Sequence, residues 1–416
     1  MSESPHPAHE PVYPAIHPLR IKGRIGILTG GGDVPGLNPA IRAVYRRAAQ
    51  EGYEVVGIRR GWAGLIDLVR EPDADNRDSV QTLSEEVVSR RARTGGTFLR
   101  TSRTNPAKTP LADVPPWLRD RFNTERNDLT AEVLKNLDWL GVDRLIPIGG
   151  DDTLSYGARL AQEGVPVNAI PKTMDGDVPG TEACIGFSTC VSRTIELVNR
   201  LRTSAGSHER FLIVEVFGRY AGFTSLEPTA AGAADRNLIP EQPVPMERVA
   251  ELLSHDRSRH PSRYAVLLVS EGATLEDGGM VFRGERADAY GHRRLGGIGR
   301  VVAAELEALS PDYNHGETVG TLVQELGYLV RSGEPDYLDS KLPVAYGNMA
   351  VNQFVHGASG QLMVVKQGRF GTTPLEVVTS RKKVVNVARD YDAQRLRPTY
   401  ANFEGRSLFH ITAEEE

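Results

Sequence analysis

The sequence predicts an α/β fold of two Rossmann-like domains, each a mostly parallel sheet flanked by helices. Three observations carry that expectation. Short apolar runs alternate with segments of helical periodicity over most of the chain. Three of those runs end in a glycine-rich turn, which places backbone N–H groups at the carboxyl edge of a parallel sheet. The 416 residues, 40% of them apolar, exceed one ordinary core and suit two.

Taken in order, residues 24–29 (RIGILT) read as a strand, followed by a glycine-rich turn and NPAIRAVYRRAAQEG. Asn38 is expected to cap that helix, with Pro39 in its first turn. Ile41, Val44, Tyr45 and Ala48 fall at helical spacing, and Gly52 stops the helix. With 54–58 as a second strand, the unit is strand–helix–strand, the seed of a parallel sheet. The rhythm continues as helix 129–140, strand 144–148, helix 153–163 and strand 165–170. A longer helix over 188–203 leads into a strand at 210–216, followed by a strand at 263–269 and a helix at 300–309. From 342 to 376 the pattern is helix then strand, with Gly357 and Gly360 at the turn. The stretch 71–128, rich in Pro, Gly and Asp, reads as loops and short helices over one edge.

A formal net charge of −5 argues against a nucleic-acid or membrane-surface partner. Cys184 and Cys190 are the only cysteines, too few for a disulfide framework and spaced unlike a zinc site, so the cytoplasm is the expected compartment. No apolar run nears the roughly 18 residues that a bilayer crossing needs. Residues 1–20 lack the apolar stretch of a signal peptide and carry many prolines; a disordered tail is expected there rather than a histidine metal site.

Four groups of residues carry the chemistry. TGGGDVPGLN (29–38) offers Gly30, Gly32 and Gly36 for close approach of a phosphate, or simply for a tight connection. PIGGDDT (147–153) ends a strand in two aspartates that can hold Mg²⁺, or cap the next helix. PKTMDGD (171–177) supplies a lysine and two carboxylates, either a base beside a metal ligand or a solvated acidic turn. Arg100, Arg103, Arg210, Arg219 and Arg331 lie in short glycine-containing contexts; singly each reads as a surface charge, together as a phosphate-binding set.

These signatures, in this order, resemble those of the phosphofructokinase family from about residue 23 to about residue 365: TGGGDVPGLN, GGTFL-x-x-SR, GGDDT, PKTMDGD, SHER-x-x-x-VEVFGRYAG, IPE and LGY-x-x-R. The resemblance implies an active site in the cleft between two domains and phosphoryl transfer to the 1-hydroxyl of fructose 6-phosphate. It implies that Gly31 and Arg103 contact the donor's phosphates and that Asp151 binds Mg²⁺. Thr173 and Asp175 would contact the sugar, with Asp175 as base, Asp177 supporting the metal or orienting that base, and Lys172 neutralising charge. Phe217, Gly218, Arg219 and Glu241 would build the sugar pocket, and Tyr328 and Arg331 would meet the 6-phosphate. Arg210 would reach that phosphate in a neighbouring subunit, which requires a homodimer or homotetramer. The expected division is a tail (1–20), a donor and Mg²⁺ domain (21–186), a fructose 6-phosphate domain (187–325) and a segment packing back on both (326–416).

The chain departs from the family's usual pattern at Met174, Gly176 and Phe217, and the segment 322–325 (LVQE) lacks a customary phosphate-binding arginine that neither Arg294 nor Arg300 is assigned to replace. SGEPDYLDSK is also unusual and bears on sugar selectivity. Relatives that use ATP commonly have glycine where this chain has Asp152 and Lys172; relatives that use pyrophosphate resemble it at both. Lysine at the second place alone also occurs among ATP users, so the pair carries the inference of pyrophosphate over ATP. An NADP-dependent oxidoreductase would rest on the first turn alone, with Arg59 and Arg60 where a dinucleotide site wants an acid. A non-catalytic sugar-phosphate sensor would not need Asp151, Asp175 and Arg219.

Overall fold

The computed structural model describes residues 21–276, 279–287, 293–401, 403–404 and 408. The expected tail over 1–20 and the side chain of Arg294 lie outside the described residues. The strands of the two main sheets are β1 (Gly23–Thr29), β2 (Tyr53–Ile58), β3 (Val80–Thr82), β4 (Arg144–Gly149), β5 (Asn168–Pro171), β6 (Phe211–Val216), β7 (Arg236–Leu238), β8 (Ala265–Ser270), β9 (Thr321–Glu325), β10 (Gln361–Lys366) and β11 (Arg369–Pro374). Helices that position the site are α1 (Leu37–Gln50), α2 (Thr130–Trp139), α3 (Asp151–Gln162), α4 (Phe187–Ser207), α5 (Phe223–Ala230), α6 (Met246–Arg259), α7 (Ile298–Tyr313), α8 (Tyr337–Val355) and α9 (Val377–Ser380).

The first sheet runs β11-β10-β5-β4-β1-β2-β3, the second β9-β6-β8-β7. All pairings in the second are parallel, and in the first only the two outermost, β10 with β11 and β2 with β3, are antiparallel. Helices cover both sheets, so their central strands are buried and largely apolar; every residue of FLIVEV in β6 is buried. The one charge in that strand, Glu215, is satisfied by the N–H groups of Gly297 and Gly299 at the start of α7, at 2.9–3.0 Å. Asp339, in the unusual SGEPDYLDSK segment, does the same for α4. Its carboxylate is buried and accepts from the N–H groups of Gly186 and Thr189, both at 2.8 Å.

Two local expectations change. Gly36, at φ 108°, precedes α1, and no side chain caps that helix. Asn38 instead lies inside the first turn. Its carboxamide donates to Thr94 Oγ1 (2.9 Å) and accepts from Phe98 N–H (3.0 Å), so it fastens the loop that carries Arg100 and Arg103. At α3 the cap position is Gly150, again without a side-chain cap, so neither Asp151 nor Asp152 is used that way. No helix among the described residues is long and apolar enough to cross a membrane.

Candidate active site

Parallel strands leave their carboxyl ends on one side, and the connections that follow β1, β4, β5, β6 and β8 meet there. They enclose a cavity of about 460 Å³. The turn after β1 contributes Gly31, Gly32 and Val34; α3 begins with Asp151 and Asp152; the loop after β5 brings Lys172, Thr173, Asp175 and Asp177. The second sheet adds Phe217, Arg219 and Tyr220 after β6 and Glu271 after β8. Arg103, from the loop fastened by Asn38, and Arg331, beyond β9, complete the wall.

Glycine is required in the first turn because side chains from other segments approach its backbone. A Cβ on Gly32 would collide with the Arg331 guanidinium, and one on Gly31, at φ 77°, would lie 3.2 Å from Lys172 Nζ. Lys172 is 4% exposed and its Nζ donates to the carbonyl of Gly32 at 2.7 Å. Burial lowers its pKa to about 8, with Arg331 adding repulsion. Arg331, also buried, donates from Nε and Nη2 to the Asp33 carbonyl at 3.1 and 2.9 Å and pairs with the Asp33 carboxylate at 3.1 Å.

The loop after β5 is ordered by its own threonine. Thr173 Oγ1 donates to Asp177 at 2.9 Å and accepts from the Asp175 N–H at 3.1 Å. Gly176, at φ 71°, turns the chain so that both carboxylates line the cavity. Loss of water raises the pKa of Asp175, with repulsion from Asp177 and Glu271 adding to it and the Arg219 backbone opposing. Asp151 is raised in the same sense, by loss of water first and then by Asp177 and Asp152, while Lys382 pulls it down.

Eleven of the residues expected in the site therefore lie together: Gly31, Arg103, Asp151, Asp152, Lys172, Thr173, Asp175, Asp177, Phe217, Arg219 and Arg331. Four do not line the cavity. Gly218 is buried beneath it at φ 114°, where it lets the chain turn between Phe217 and Arg219. Glu241 is held by the backbone nearby: its Oε1 accepts from the N–H groups of Gly222 (3.0 Å) and Val385 (2.8 Å). The glutamate that does line the cavity is Glu271, which immediately follows the buried strand β8. Tyr328 is 69% exposed, with its ring 5.4 Å from the Arg331 guanidinium. Arg210 is exposed at the amino end of β6, the edge opposite the cavity.

Sequence reasoning also missed Lys382 and Lys383, which nothing in the local pattern SRKKVV distinguishes from surface lysines. Glu271 was findable: a charge one residue past the apolar run 265–269 marks the carboxyl end of a strand.

Comparison with known proteins gives the family and the fold. The family model described as Phosphofructokinase matches residues 24–354. A protein of Streptomyces coelicolor named pyrophosphate–fructose 6-phosphate 1-phosphotransferase is 38% identical, over 88% of this chain and 97% of its own length. One of Mycobacterium tuberculosis named ATP-dependent 6-phosphofructokinase is 35% identical, over 89% of this chain and 98% of its own. Among solved structures, a pyrophosphate-dependent phosphofructokinase from Nitrosospira multiformis superposes with a TM-score of 0.71 at 16% identity, covering 91% of this chain and 89% of that one. With two mostly parallel sheets, their strand ends on one cavity, and a family match over most of its length, the chain belongs to the phosphofructokinase family.

Proposed function

We propose that the protein transfers a phosphoryl group from pyrophosphate to the 1-hydroxyl of fructose 6-phosphate, giving fructose 1,6-bisphosphate and orthophosphate. The observation that carries the donor assignment is that Asp152 and Lys172, from two separate turns, line the same cavity. A carboxylate at 152 crowds and repels the α-phosphate region of a nucleotide. The lysine neutralises an orthophosphate leaving group that has no nucleoside attached.

In this reading Gly31 and Arg103 hold the donor, and Asp175 takes the proton from the attacking hydroxyl. Its raised pKa suits a base, which holds a proton more firmly than an ordinary carboxylate. Thr173, Phe217 and Arg219 position the sugar, with Glu271 in the role first given to Glu241. Arg331 and Tyr328 meet the 6-phosphate, for which Arg331 exchanges its contacts with Asp33.

Among the described residues no three carboxylate, imidazole or thiolate groups converge on one point. Asp151, Asp152 and Asp177 nevertheless line the cavity. That surplus of negative charge fits a hard cation such as Mg²⁺, held by Asp151 with support from Asp177 and completed by phosphate oxygens and water. Bound there, Mg²⁺ would offset charge developing on the transferred phosphoryl group.

Arg210 cannot serve its own cavity. The six residues of β6 separate it from the site by about 20 Å. Its phosphate role therefore requires a second copy, and we infer a homodimer or homotetramer. The division at residues 186 and 325 is retained as our reading of the two domains. The deciding experiment supplies purified protein with Mg²⁺, fructose 6-phosphate and either pyrophosphate or ATP; turnover with ATP alone would reassign the donor and leave the sugar chemistry in place.

A further inference from the structure

The turn after β1 meets the cavity with its backbone, so the direction of each of its peptide groups matters. Three consecutive carbonyls in that turn are each held from another segment. Gly31 accepts from Thr101 Oγ1 at 2.6 Å, Gly32 from Lys172 Nζ at 2.7 Å, and Asp33 from Arg331 Nε at 3.1 Å. A trans peptide points its N–H opposite to its C=O. Thr101 does not line the cavity, whereas Gly31 and Gly32 do. The carbonyl of Gly31 is therefore drawn out of the cavity, and the N–H of Gly32, on the same peptide, faces into it. The amide of Gly31 is already taken, since it donates to the Ser102 carbonyl at 2.8 Å. Among the described residues nothing accepts from the Gly32 N–H, which leaves it for a ligand.

The peptide between Gly31 and Gly32 needs such a hold. Its orientation is set by ψ of the first residue and φ of the second, and neither has a Cβ to restrict the rotation. Left free, it turns over at little steric cost and presents its carbonyl oxygen to an anionic ligand.

The loop that supplies the hydroxyl is strained at the residue before it. Arg100 has φ 60°, the left-handed region that a side chain of its kind rarely adopts. Its N–H donates to the Thr97 carbonyl at 3.1 Å, and its carbonyl accepts from Thr29 Oγ1 at 3.0 Å. Such a conformation persists only where the surroundings over-determine it, and it clusters at functional sites. Here it brings Thr101 and Ser102 against the turn, the first on the carbonyl of Gly31 and the second on its N–H.

We propose that Thr101 is a positioning residue for the phosphoryl donor, its hydroxyl fixing the Gly31–Gly32 peptide so that the Gly32 N–H faces the donor's phosphate. This rests on the reading that the donor's phosphates lie on the turn after β1. The other two holds have further parts in that reading: Lys172 acts on the donor by charge, and Arg331 leaves Asp33 for the sugar's phosphate. Thr101 carries no charge, moves no proton and touches neither substrate. It acts through the backbone alone.

The test is a pair of variants with a control. Thr101→Val keeps the shape and removes the hydroxyl; Thr101→Ser keeps the hydroxyl. Steady-state kinetics are measured with pyrophosphate and with ATP as separate donors, each varied at saturating fructose 6-phosphate, and with fructose 6-phosphate varied at saturating donor. Thr101→Val is expected to raise KM for the active donor roughly five- to tenfold, the effect of losing one hydrogen bond and misdirecting another. KM for fructose 6-phosphate should stay within about twofold, and Thr101→Ser should restore the donor KM to within about twofold of the unaltered enzyme. A hold that only supports the fold would move both KM values together or neither. An unchanged donor KM in Thr101→Val, equal increases for both substrates, or no recovery in Thr101→Ser overturns the assignment. Thr101→Ala, a second variant without the hydroxyl, gives the same decision should Thr101→Val not fold. Arg103→Ala, which removes a donor contact in the same reading, separates the two ways of failing. If it raises the donor KM and Thr101→Val does not, only the part of Thr101 falls; if neither does, the donor's place on this turn falls with it. With ATP as the active donor the pyrophosphate reading falls, and KM for ATP decides the case of Thr101.

Discussion

The ammonium of Lys172 donates to the carbonyl of Gly32 across 2.7 Å, so the end of β5 and the turn after β1 are joined by a buried cation. The cation is therefore fixed before any ligand arrives and aims at the position where a phosphate would rest on Gly31. Because burial lowers its pKa to about 8, its charge is lost earlier on raising pH than that of an ordinary lysine.

That shift sets a pH limb. We expect kcat/KM for the donor to fall as pH rises through about 8, while a saturating anionic donor moves the limb upward by favouring the charged form. Lys172→Arg should carry the limb beyond the accessible range. Stability runs in the other direction: between about 8 and 10.5 the unfolded lysine keeps a proton that the folded one has released, so the penalty of burying it is relieved as pH rises. A donor profile flat to pH 10 would show that the charge of Lys172 is not used.

Asp175 and Asp177 share a loop but differ in partners. Thr173 Oγ1 donates to Asp177, whereas for Asp175 the Arg219 backbone supplies the opposing interaction. Replacing Asp175 by Ala should lower kcat by about 10²–10⁴-fold, the usual worth of a positioned base, with much smaller effects on substrate binding. Single-turnover rates and binding of fructose 6-phosphate, measured side by side, separate the two. A kcat near that of the unaltered enzyme would remove Asp175 from the role of base.

Glu241, expected at the sugar, does not line the cavity, and Glu271, of which nothing was expected, does. Glu241 receives two backbone N–H groups in a half-buried position, so Glu241→Ala should cost about 1–3 kcal/mol of stability, read by urea unfolding. Its KM for fructose 6-phosphate should change little. Glu271→Gln should leave stability close to normal and raise that KM several-fold. The opposite pattern would return the sugar contact to Glu241.

The contrast between these two acids shows what a sequence can carry. Strand ends and glycine turns were legible because apolar runs and Gly, Asp and Lys at fixed offsets follow from local backbone demands, and the residues at those turns are the ones that converge. Asn38 was misplaced because Gly36, two residues earlier, already turns the chain, which frees the asparagine for a contact with Thr94 some 56 positions away. Asp339 is a similar case; its partners Gly186 and Thr189 are about 150 positions distant. Lys382 and Lys383 could not be read at all. Their significance comes from the return of the chain to α3 and to Thr181, and no local periodicity encodes that path.

Arg210 makes assembly testable. It stands exposed at the amino edge of β6, away from its own cavity. Dilution below the dissociation constant should abolish activity together with the oligomer, followed by sedimentation and assay on the same samples. Arg210→Ala should raise KM for fructose 6-phosphate while leaving the assembly intact. A fully active monomer would mean that Arg210 has no phosphate to meet.

The donor assignment depends on Asp152 and Lys172 acting on one ligand, and single and double substitutions can resolve it. Asp152 lines the cavity as the second residue of α3 and makes no capping bond there, so Asp152→Gly removes charge and bulk at little structural cost beyond about 1 kcal/mol of helix propensity. ATP should then bind measurably, although turnover need not follow, since relief of repulsion at the phosphates builds no contact for the adenosine. Lys172→Gly should chiefly depress kcat with pyrophosphate, because a cation aimed at developing charge acts most in the transition state. It also removes the link to Gly32, so a loss of kcat with KM nearly constant is the informative pattern; a collapse of both would point to a disordered turn. The double variant should move the ratio of kcat/KM values towards ATP further than either change alone. Since both side chains face the same donor, their effects need not add, and the size of that departure measures their coupling. Should the unaltered enzyme prefer ATP, repulsion at Asp152 cannot be the selecting force, and the pair would have to be explained by the geometry of the turn instead.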